Sequence, residues 1–283
     1  MPQLLSRPSS DTPHIFELPL GLIVGGRRHR RAVLRRREAD LQLRLLDLDL
    51  KQPRERLLSQ ALSLCVDRIG SVRSPSPELL GRLTLSDRHA LVQSLLLAQD
   101  RGVLAAVADC PGCAYRLEMT LDLRTIKVPR IPDSGRVILK RREKGQLLRR
   151  RLRLPCQVDL ELANDEASLL GLCLGCTPDQ ARPWLSVAEK TLANCDPLGS
   201  MEIIGSCPEC GKEVQTGLDL EGTWLSRLRS ESGSLLEEIH VLALSYHWTE
   251  GEILRLPVGR RQEYLDLCWA APAAPIFGIA QTG

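Results

Sequence analysis

Aromatic residues are scarce in this 283-residue chain, and their scarcity restricts what it can bind. Phe, Trp and Tyr together make up 3% of the sequence, whereas proteins that bind single-stranded nucleic acid stack several aromatic side chains on the bases. The net charge of +3 is also small, and a strongly positive charge is the usual electrostatic signature of a nucleic-acid partner. The composition therefore does not predict nucleic-acid binding.

Long hydrophobic segments are absent as well. No apolar run approaches about 20 residues, the length that a membrane-spanning helix requires. Residues 1–13 are polar and proline-rich, without the charged and then apolar order of a signal peptide. We therefore expect no membrane span, and we expect a flexible tail over 1–13. The ten cysteines are too few for a disulfide scaffold, so the expected state is a cytoplasmic protein with reduced thiols.

A catalytic constellation is not recognisable either. The five histidines are scattered, and the chain has no phosphate-binding loop and no serine nucleophile elbow. Glu237 and Glu238 fit a solvated helix face better than a pair of acid/base catalysts. The sequence therefore predicts a protein that is not an enzyme.

The strongest positive signal is a cysteine motif that occurs twice. Cys110-Pro111-Gly112-Cys113 returns as Cys207-Pro208-Glu209-Cys210 at an offset of 97 residues, and Leu-Asp-Leu follows both copies at the same distance. Each copy predicts a tight turn with two thiolates ahead of a strand. Two such turns that face each other give Zn²⁺ four sulfur ligands in a tetrahedron, with no open position for catalysis. Cys110, Cys113, Cys207 and Cys210 are therefore predicted to bind a structural zinc ion.

The other cysteines leave alternatives open. Cys173-Leu174-Gly175-Cys176 is a third Cys-x-x-Cys. This motif can form a second four-cysteine site with Cys156 and Cys195. Alternatively, it can act by itself as a redox pair, or it can end a helix with Gly175 as the cap. The helix end is favoured because no βαβ context accompanies the motif. Cys65 lies on an apolar helical stripe and is predicted to be a small buried residue.

These patterns indicate the α+β fold class. We expect a central four-cysteine, zinc-ribbon-like β element with a mixed insert, an N-terminal hairpin with helices, and a C-terminal three-helix module. In chain order the predicted segments are 1–13 (flexible tail), 14–105 (N-terminal hairpin plus helices), 106–124 and 200–222 (split zinc ribbon), 125–199 (inserted mixed α/β subdomain), 223–268 (C-terminal helical module) and 269–283 (tail).

The N-terminal segment begins with a predicted hairpin. Gly25-Gly26 favours a turn between strands over 16–22 and 30–37, and Pro19 indicates an edge strand or a break. The arginine-rich run over 27–37 is interpreted as a solvated hairpin face or as a basic surface for an acidic protein or a nucleic acid.

Helices are expected next. One is predicted over 54–69 and another over 87–99 with Ser86 as its N-cap, whereas 39–50 is ambiguous between helix and strand.

The inserted segment predicts short strands and helices. Strands are expected over 137–139 and 152–154 and helices over 165–173 and 186–193, before a strand over 201–204 that leads into the second cysteine pair.

The C-terminal segment predicts three helices. Apolar residues from Leu235 to Tyr246 recur at helical spacing, Thr249 and Glu252 form a capping box for a short second helix, and a third helix is expected over 260–267.

The same segment carries a family resemblance. The run Leu235-Leu236-Glu237-Glu238-Ile239-His240-Val241-Leu242-Ala243-Leu244-Ser245-Tyr246-His247-Trp248-Thr249-Glu250-Gly251-Glu252-Ile253-Leu254, followed by Arg260-Arg261 and Tyr264-Leu265, resembles the T4-type bacteriophage base-plate protein family of contractile tails and related contractile injection systems. The two Cys-Pro-x-Cys pairs, and Leu85-Ser86-Asp87-Arg88 ahead of a leucine-rich helix, are similar to members of that group that carry a zinc ribbon.

The resemblance implies a structural role. The protein would be a non-enzymatic component or assembly factor of a base plate, present in the cytoplasm during assembly and then in the virion or injection particle. It would dock to other base-plate or hub proteins through the amphipathic C-terminal helices. The predicted docking residues are Leu235, Ile239, Leu242, Tyr246, Trp248, Arg260, Arg261 and Tyr264. The alternative is a zinc-ribbon nucleic-acid-binding or regulatory protein that uses the basic run over 27–37.

Overall fold

The structure of the protein is a computed structural model, and it describes residues 14–35, 39–98 and 102–270. The predicted tail over 1–13, and the predicted tail over 269–283 beyond residue 270, lie outside these ranges. The fold is mixed α+β, as expected. The described residues form two units, one of 14–35 with 48–225 and one of 39–47 with 226–270. Residues 39–47 thus belong with the C-terminal helices and not with the N-terminal segment.

The N-terminal hairpin opens a four-stranded antiparallel sheet. Its strands are β1 (Ile15–Val24), β2 (Arg27–Leu34), β3 (Val66–Ile69) and β4 (Val72–Arg73), hydrogen-bonded in that order. Gly25 and Gly26 form the turn with φ of 58° and 74°, which is the left-handed geometry that the glycine pair predicts. Pro19 lies in edge strand β1, where the register against β2 shifts between Glu17 and Leu22, because proline has no N–H to donate.

Buried side chains hold the irregular part of β1. The backbone N–H groups of Leu20 and Gly21 donate to one carboxylate oxygen of Asp87 at 2.7 and 2.9 Å. Asp87 is completely buried, so these bonds satisfy a carboxylate that would otherwise be costly to bury. The Arg30 guanidinium donates to the carbonyl oxygen of Pro19.

The arginines of the basic run differ in their surroundings. Arg28 donates to the backbone carbonyl of Asp133 at 2.8 Å, Arg30 forms an ion pair with the Asp133 carboxylate, and Arg35 donates to the Ser74 hydroxyl at 2.8 Å. Arg27 and Arg31 are exposed. The described part of this run is therefore largely structural, and the basic surface it offers is smaller than the sequence indicates.

Three helices complete the N-terminal part of the first unit: α2 (Arg54–Cys65), α3 (Pro77–Leu80) and α4 (Leu85–Ala98). The helix predicted over 54–69 ends at Cys65, because the next four residues pair with β2 as β3. The prediction of Ser86 as an N-cap is wrong: Thr84 accepts the Asp87 N–H at 3.2 Å, and Ser86 lies inside α4. Cys65 is buried, as predicted.

Two further hairpins pack against each other. They are formed by β5 (Val103–Asp109) with β6 (Arg116–Asp122), and by β9 (Met201–Ser206) with β10 (Glu213–Leu218). β5 contacts β10, and β6 contacts β9. Leu117, Met119, Ile203 and Val214 are buried between them.

The chain between these hairpins forms a basic hairpin covered by helices. Its elements are β7 (Arg136–Glu143), β8 (Gln146–Arg153), α5 (Gln157–Leu162), α6 (Glu166–Leu174), α7 (Pro178–Ala181) and α8 (Leu185–Cys195). Leu139, Leu152 and Trp184 lie in their shared core. The strands and helices predicted here are present: both strands and α8 are longer than expected, whereas α6 has the expected length and is shifted by one residue.

The second unit is helical. It contains α1 (Ala39–Leu46), α10 (Glu250–Arg255), α11 (Val258–Ala270) and most of α9 (Leu220–Tyr246). Thr249 accepts the Glu252 N–H at 3.3 Å and its own N–H donates to the Glu252 carboxylate at 2.8 Å, so the predicted capping box is confirmed. Among the described helices, none has the length and hydropathy needed to span a bilayer.

A buried network of charged side chains connects distant parts of the first unit. Two guanidinium nitrogens of Arg88 donate to the Glu221 carboxylate at 2.6 and 2.9 Å, and a third forms an ion pair with Glu55. His89 lies beside Arg88 on α4, and its Nδ1 is 2.7 Å from the Asp196 carboxylate. The network thereby links α2, α4, the end of α8 and the start of α9.

Replacing His89 with Gln should reduce the pH dependence of stability. Burial lowers the pKa of His89, but the hydrogen bond that His89 donates to Asp196 and the charges of Asp196 and Glu221 outweigh burial, so its pKa is raised. A histidine whose pKa is raised by folding contributes its full stabilisation below its unfolded-state pKa of about 6.5. This stabilisation is lost as the pH rises through the folded-state pKa. The free energy of unfolding in urea should therefore fall less steeply above about pH 6.5 in His89→Gln than in the wild type.

The matched control is His240→Gln, because His240 is exposed on α9. This control should keep the pH dependence of the wild type. An unchanged slope in His89→Gln would show that His89 does not contribute to the dependence.

Candidate metal centre

The two cysteine motifs form equivalent turns at the tips of two hairpins. In the first turn the Cys110 N–H donates to the Tyr115 carbonyl at 2.9 Å, and the Ala114 N–H donates to the Cys110 carbonyl at 2.9 Å. In the second turn the corresponding distances are 2.8 Å for Cys207 to Lys212 and 2.9 Å for Gly211 to Cys207. The repeated sequence therefore folds into a repeated backbone hydrogen-bond pattern.

Each turn requires one residue in the left-handed region. Ala114 has φ of 59° and Gly211 has φ of 70°, both four positions after the first cysteine of their motif. Glycine adopts this conformation without a steric penalty, whereas a residue with a Cβ is strained there.

The four sulfur atoms of the motifs lie together. The Sγ atoms of Cys110 and Cys210 are 3.5 Å apart, those of Cys113 and Cys207 are 3.6 Å apart, and all four lie within 4.8 Å of one another. A disulfide would require about 2.05 Å, so these are not bonded pairs. Metal–sulfur bonds of about 2.3 Å in a tetrahedron place the sulfurs about 3.8 Å apart. The spacing therefore fits four thiolates around one metal ion.

Each turn contributes one inner and one outer sulfur. Cys110 and Cys207 are 3% and 2% exposed and belong to the core between the hairpins, whereas Cys113 and Cys210 are exposed. The Gly112 N–H donates to the Cys110 sulfur at 3.3 Å. No side-chain motif in the sequence marks a backbone donor of this kind, so it is visible only in the structure.

The cysteines of the cluster affect one another's ionisation. The Gly112 N–H lowers the pKa of the Cys110 thiol to about 6, which favours its thiolate form. The Tyr115 N–H lowers the pKa of Cys113, but the three neighbouring thiols outweigh it and raise that pKa to about 12. A metal cation would replace the protons that the cluster otherwise retains, because thiolates and not thiols bind metals.

The third Cys-x-x-Cys motif ends a helix, as the favoured alternative predicted. Gly175 caps α6 with φ of 68°, and Cys173 is buried against Leu139 and Trp184. Burial raises the pKa of Cys173 to about 12, so this thiol is not activated for redox chemistry. Over the ranges that the structure describes, Cys156, Cys173, Cys176 and Cys195 do not form a metal-ligating group.

Of the eight predicted docking residues, four are buried in the second unit and three are half-buried there. Leu235, Ile239 and Leu242 are buried against α10 and α11. The Tyr246 and Trp248 rings are stacked with centroids 4.7 Å apart, and Tyr264 meets both rings edge-on. An apolar stripe at helical spacing is satisfied here by the unit's own core, so it does not mark a partner surface.

The two arginines of the predicted docking set have opposite environments. Arg261 is 2% exposed, and its Nε donates to Glu238 at 2.8 Å. Arg260 is exposed. Of the predicted charged contacts, Arg260 alone can meet a partner without disturbing the helical core.

Replacing Gly211 with Ala should destabilise the metal-loaded protein by about 1 kcal/mol, because alanine is strained at positive φ. Gly217→Ala is the control, since Gly217 lies in β10 with open space around an added Cβ and without positive φ. The reverse change Ala114→Gly should not destabilise the first turn. The free energy of unfolding in urea, measured for the three variants, gives these effects. An equal decrease in Gly211→Ala and Gly217→Ala would contradict the view that the positive φ at position 211 causes the strain.

The comparisons with known proteins identify no family for the chain. No protein-family model, no curated protein and no solved structure matches it. What the four cysteines do is therefore inferred from their own chemistry and geometry.

Proposed function

We propose that the four cysteines bind one structural Zn²⁺ and that the protein is a metal-stabilised, non-enzymatic component of a larger assembly. The observation that carries the proposal is the spacing of the four sulfurs, which are mutually within 4.8 Å. Four thiolates complete the coordination of zinc and leave no position for water or substrate. Such a site stabilises structure and does not catalyse a reaction.

Zinc is favoured over other metals by the ligands and by the size of the site. Four sulfur ligands in a tetrahedron suit zinc or iron–sulfur chemistry. Sulfurs only 3.5 and 3.6 Å apart in the closest pairs leave room for a single ion and not for a cluster of several. The two turns and their hairpins would then form a zinc ribbon whose halves are separated by the β7–α8 segment.

The metal would supply much of the stability of this region. Structural zinc contributes roughly 10–16 kcal/mol in small zinc-binding domains, whereas a whole domain has a net stability of about 5–15 kcal/mol. The hairpins bury few residues of their own. Removal of the metal is therefore expected to separate them.

Protein purified without added zinc should contain about one zinc ion per chain by elemental analysis. The double variant Cys110→Ser/Cys207→Ser should lose the ion and unfold in this region, because each turn loses its buried ligand. Cys156→Ser/Cys176→Ser is the matched control, which removes two partly buried thiols outside the cluster and should retain the zinc. A well-folded wild type without metal, or with iron in place of zinc, would reject the zinc assignment.

The assembly that we propose is the base plate of a contractile phage tail or related contractile injection system. The resemblance of 235–265 to the T4-type base-plate family supports it. That segment covers much of α9 and α11 and all of α10. Together with α1, these helices make up the second unit, except for the first residues of α9. The protein would dock to other base-plate or hub proteins, and its docking residues would be exposed ones such as Arg260, since the apolar stripe is buried.

Deletion of the gene in a cell that produces contractile particles should give incomplete base plates. The wild-type chain should restore complete particles, whereas Cys110→Ser/Cys207→Ser should not, and Cys156→Ser/Cys176→Ser should do so. Electron microscopy of purified particles and immunoblotting for the chain provide the measurement. Normal particles in the deletion strain would refute the base-plate role and would leave the zinc assignment intact.

A further inference from the structure

The β7–β8 hairpin separates its side chains cleanly into two faces. Cross-strand partners include Leu139 with Arg150 and Val137 with Leu152 on one face, and Lys140 with Arg149 on the other. The first face is buried or half-buried except at Glu143 and Gln146, which flank the turn. The second carries the exposed cations Arg136, Lys140, Arg142, Arg149 and Arg151, and we call these five residues the basic ribbon face.

The inner face fixes the hairpin to its helices. Leu139 and Leu152 are completely buried, and the guanidinium carbons of Arg141 and Arg150 lie 5.1 and 5.7 Å from the centre of the Trp184 ring. Cation–π contacts at such distances are attractive. The basic ribbon face is therefore presented by an anchored hairpin.

The charges of the basic ribbon face are not balanced within the protein. Lys140 and Arg149 lie directly opposite each other, an arrangement that is unfavourable for like charges. Over the ranges that the structure describes, none of the five cations has an acidic ion-pair partner, and no acidic residue shares their face. By contrast, Arg153 at the end of the same strand is bound by Asp159 at 2.7 Å. An external anion would relieve the repulsion.

We propose that the basic ribbon face binds double-stranded nucleic acid through its phosphates, independently of the proposed base-plate role. Side chains two residues apart on a strand are separated by about 6.6–6.8 Å, which is the spacing of Lys140 and Arg142 on β7 and of Arg149 and Arg151 on β8. Guanidinium groups bind phosphate oxygens in pairs. A two-stranded ribbon also fits the major groove of a duplex, which is about 12 Å wide.

Other polyanions fit this face less well. Single-stranded nucleic acid is bound through aromatic stacking, and the face carries no aromatic ring. Protein interfaces are enriched in aromatic anchors and depleted in lysine, and their charges are usually of both signs. The two apolar side chains among the cations, Ile138 and Leu147, are 53% and 48% exposed and can contact the sugars of a phosphate backbone.

Binding of the full-length, metal-loaded chain to a short mixed-sequence DNA duplex, followed by fluorescence anisotropy, tests the proposal. Five phosphate contacts predict a slope of about −4.5 for log K against log salt, which is about a 500-fold loss of affinity from about 50 to 200 mM salt. Lys140→Gln/Arg149→Gln/Arg151→Gln should bind with a slope of only about −1.8. Arg149→Lys/Arg151→Lys keeps both charges and should keep a slope near that of the wild type.

The matched control is Arg56→Gln/Arg82→Gln/Arg255→Gln, which removes three exposed cations from other elements and should bind as the wild type does. An equal loss of affinity for the duplex in both triple variants, or no binding of the wild type at low salt, would overturn the proposal. If a single strand of the same length bound more tightly than the duplex, the proposal would be overturned in favour of single-strand binding through base stacking. Tighter binding of poly-L-glutamate would overturn it in favour of an acidic protein partner. Unchanged urea midpoints verify that the variants are folded.

Discussion

The meeting of two cysteine turns that lie 97 residues apart in the sequence is the constraint on which the first unit depends. Each turn ends a two-stranded hairpin, and such hairpins are marginally stable alone in water. In the proposed zinc-bound state the metal cross-links the chain across this loop. A cross-link that closes about 100 residues is worth about 4.7 kcal/mol in the chain-entropy model, so the ion would both join the hairpins and restrict the unfolded chain.

Ion pairs and hydrogen bonds hold the open end of the β9–β10 hairpin. Asp196 precedes β9 and binds His89, while Glu221 follows β10 and binds Arg88. A buried ion pair is not by itself a stabilising feature relative to apolar packing, but the loss of one partner is costly. Because Arg88 and His89 find these carboxylate partners only when the hairpin is in place, the network favours one position of the hairpin. The cysteines at the tip and the carboxylates at the base thus act on the same element from opposite ends.

Local chemistry made part of this structure predictable. The glycine turn, the capping box at Thr249, the Gly175 helix end and the proximity of the four cysteines all follow from short motifs with one favoured geometry. The strand at Val66 was missed because pairing with β2 overrides the helical pattern of the preceding residues. The predicted docking set includes the buried residues Leu235, Ile239 and Leu242, because an apolar stripe has the same spacing whether its own unit or a partner covers it. Only the tertiary structure distinguishes the two.

Arginine is the residue whose role the sequence conceals most. Several arginines are paired within the protein: Arg28, Arg30, Arg88, Arg153 and Arg261 bind carbonyls or carboxylates. A small net charge therefore does not exclude a basic patch on the surface. The charges of paired cations and their acidic partners cancel, whereas the unpaired cations lie at the surface. The run over 27–37 and the run at 149–153 look alike in the sequence. They differ because Arg28, Arg30 and Arg35 of the first run have hydrogen-bond or ion-pair partners, whereas strand alternation turns Arg149 and Arg151 toward solvent.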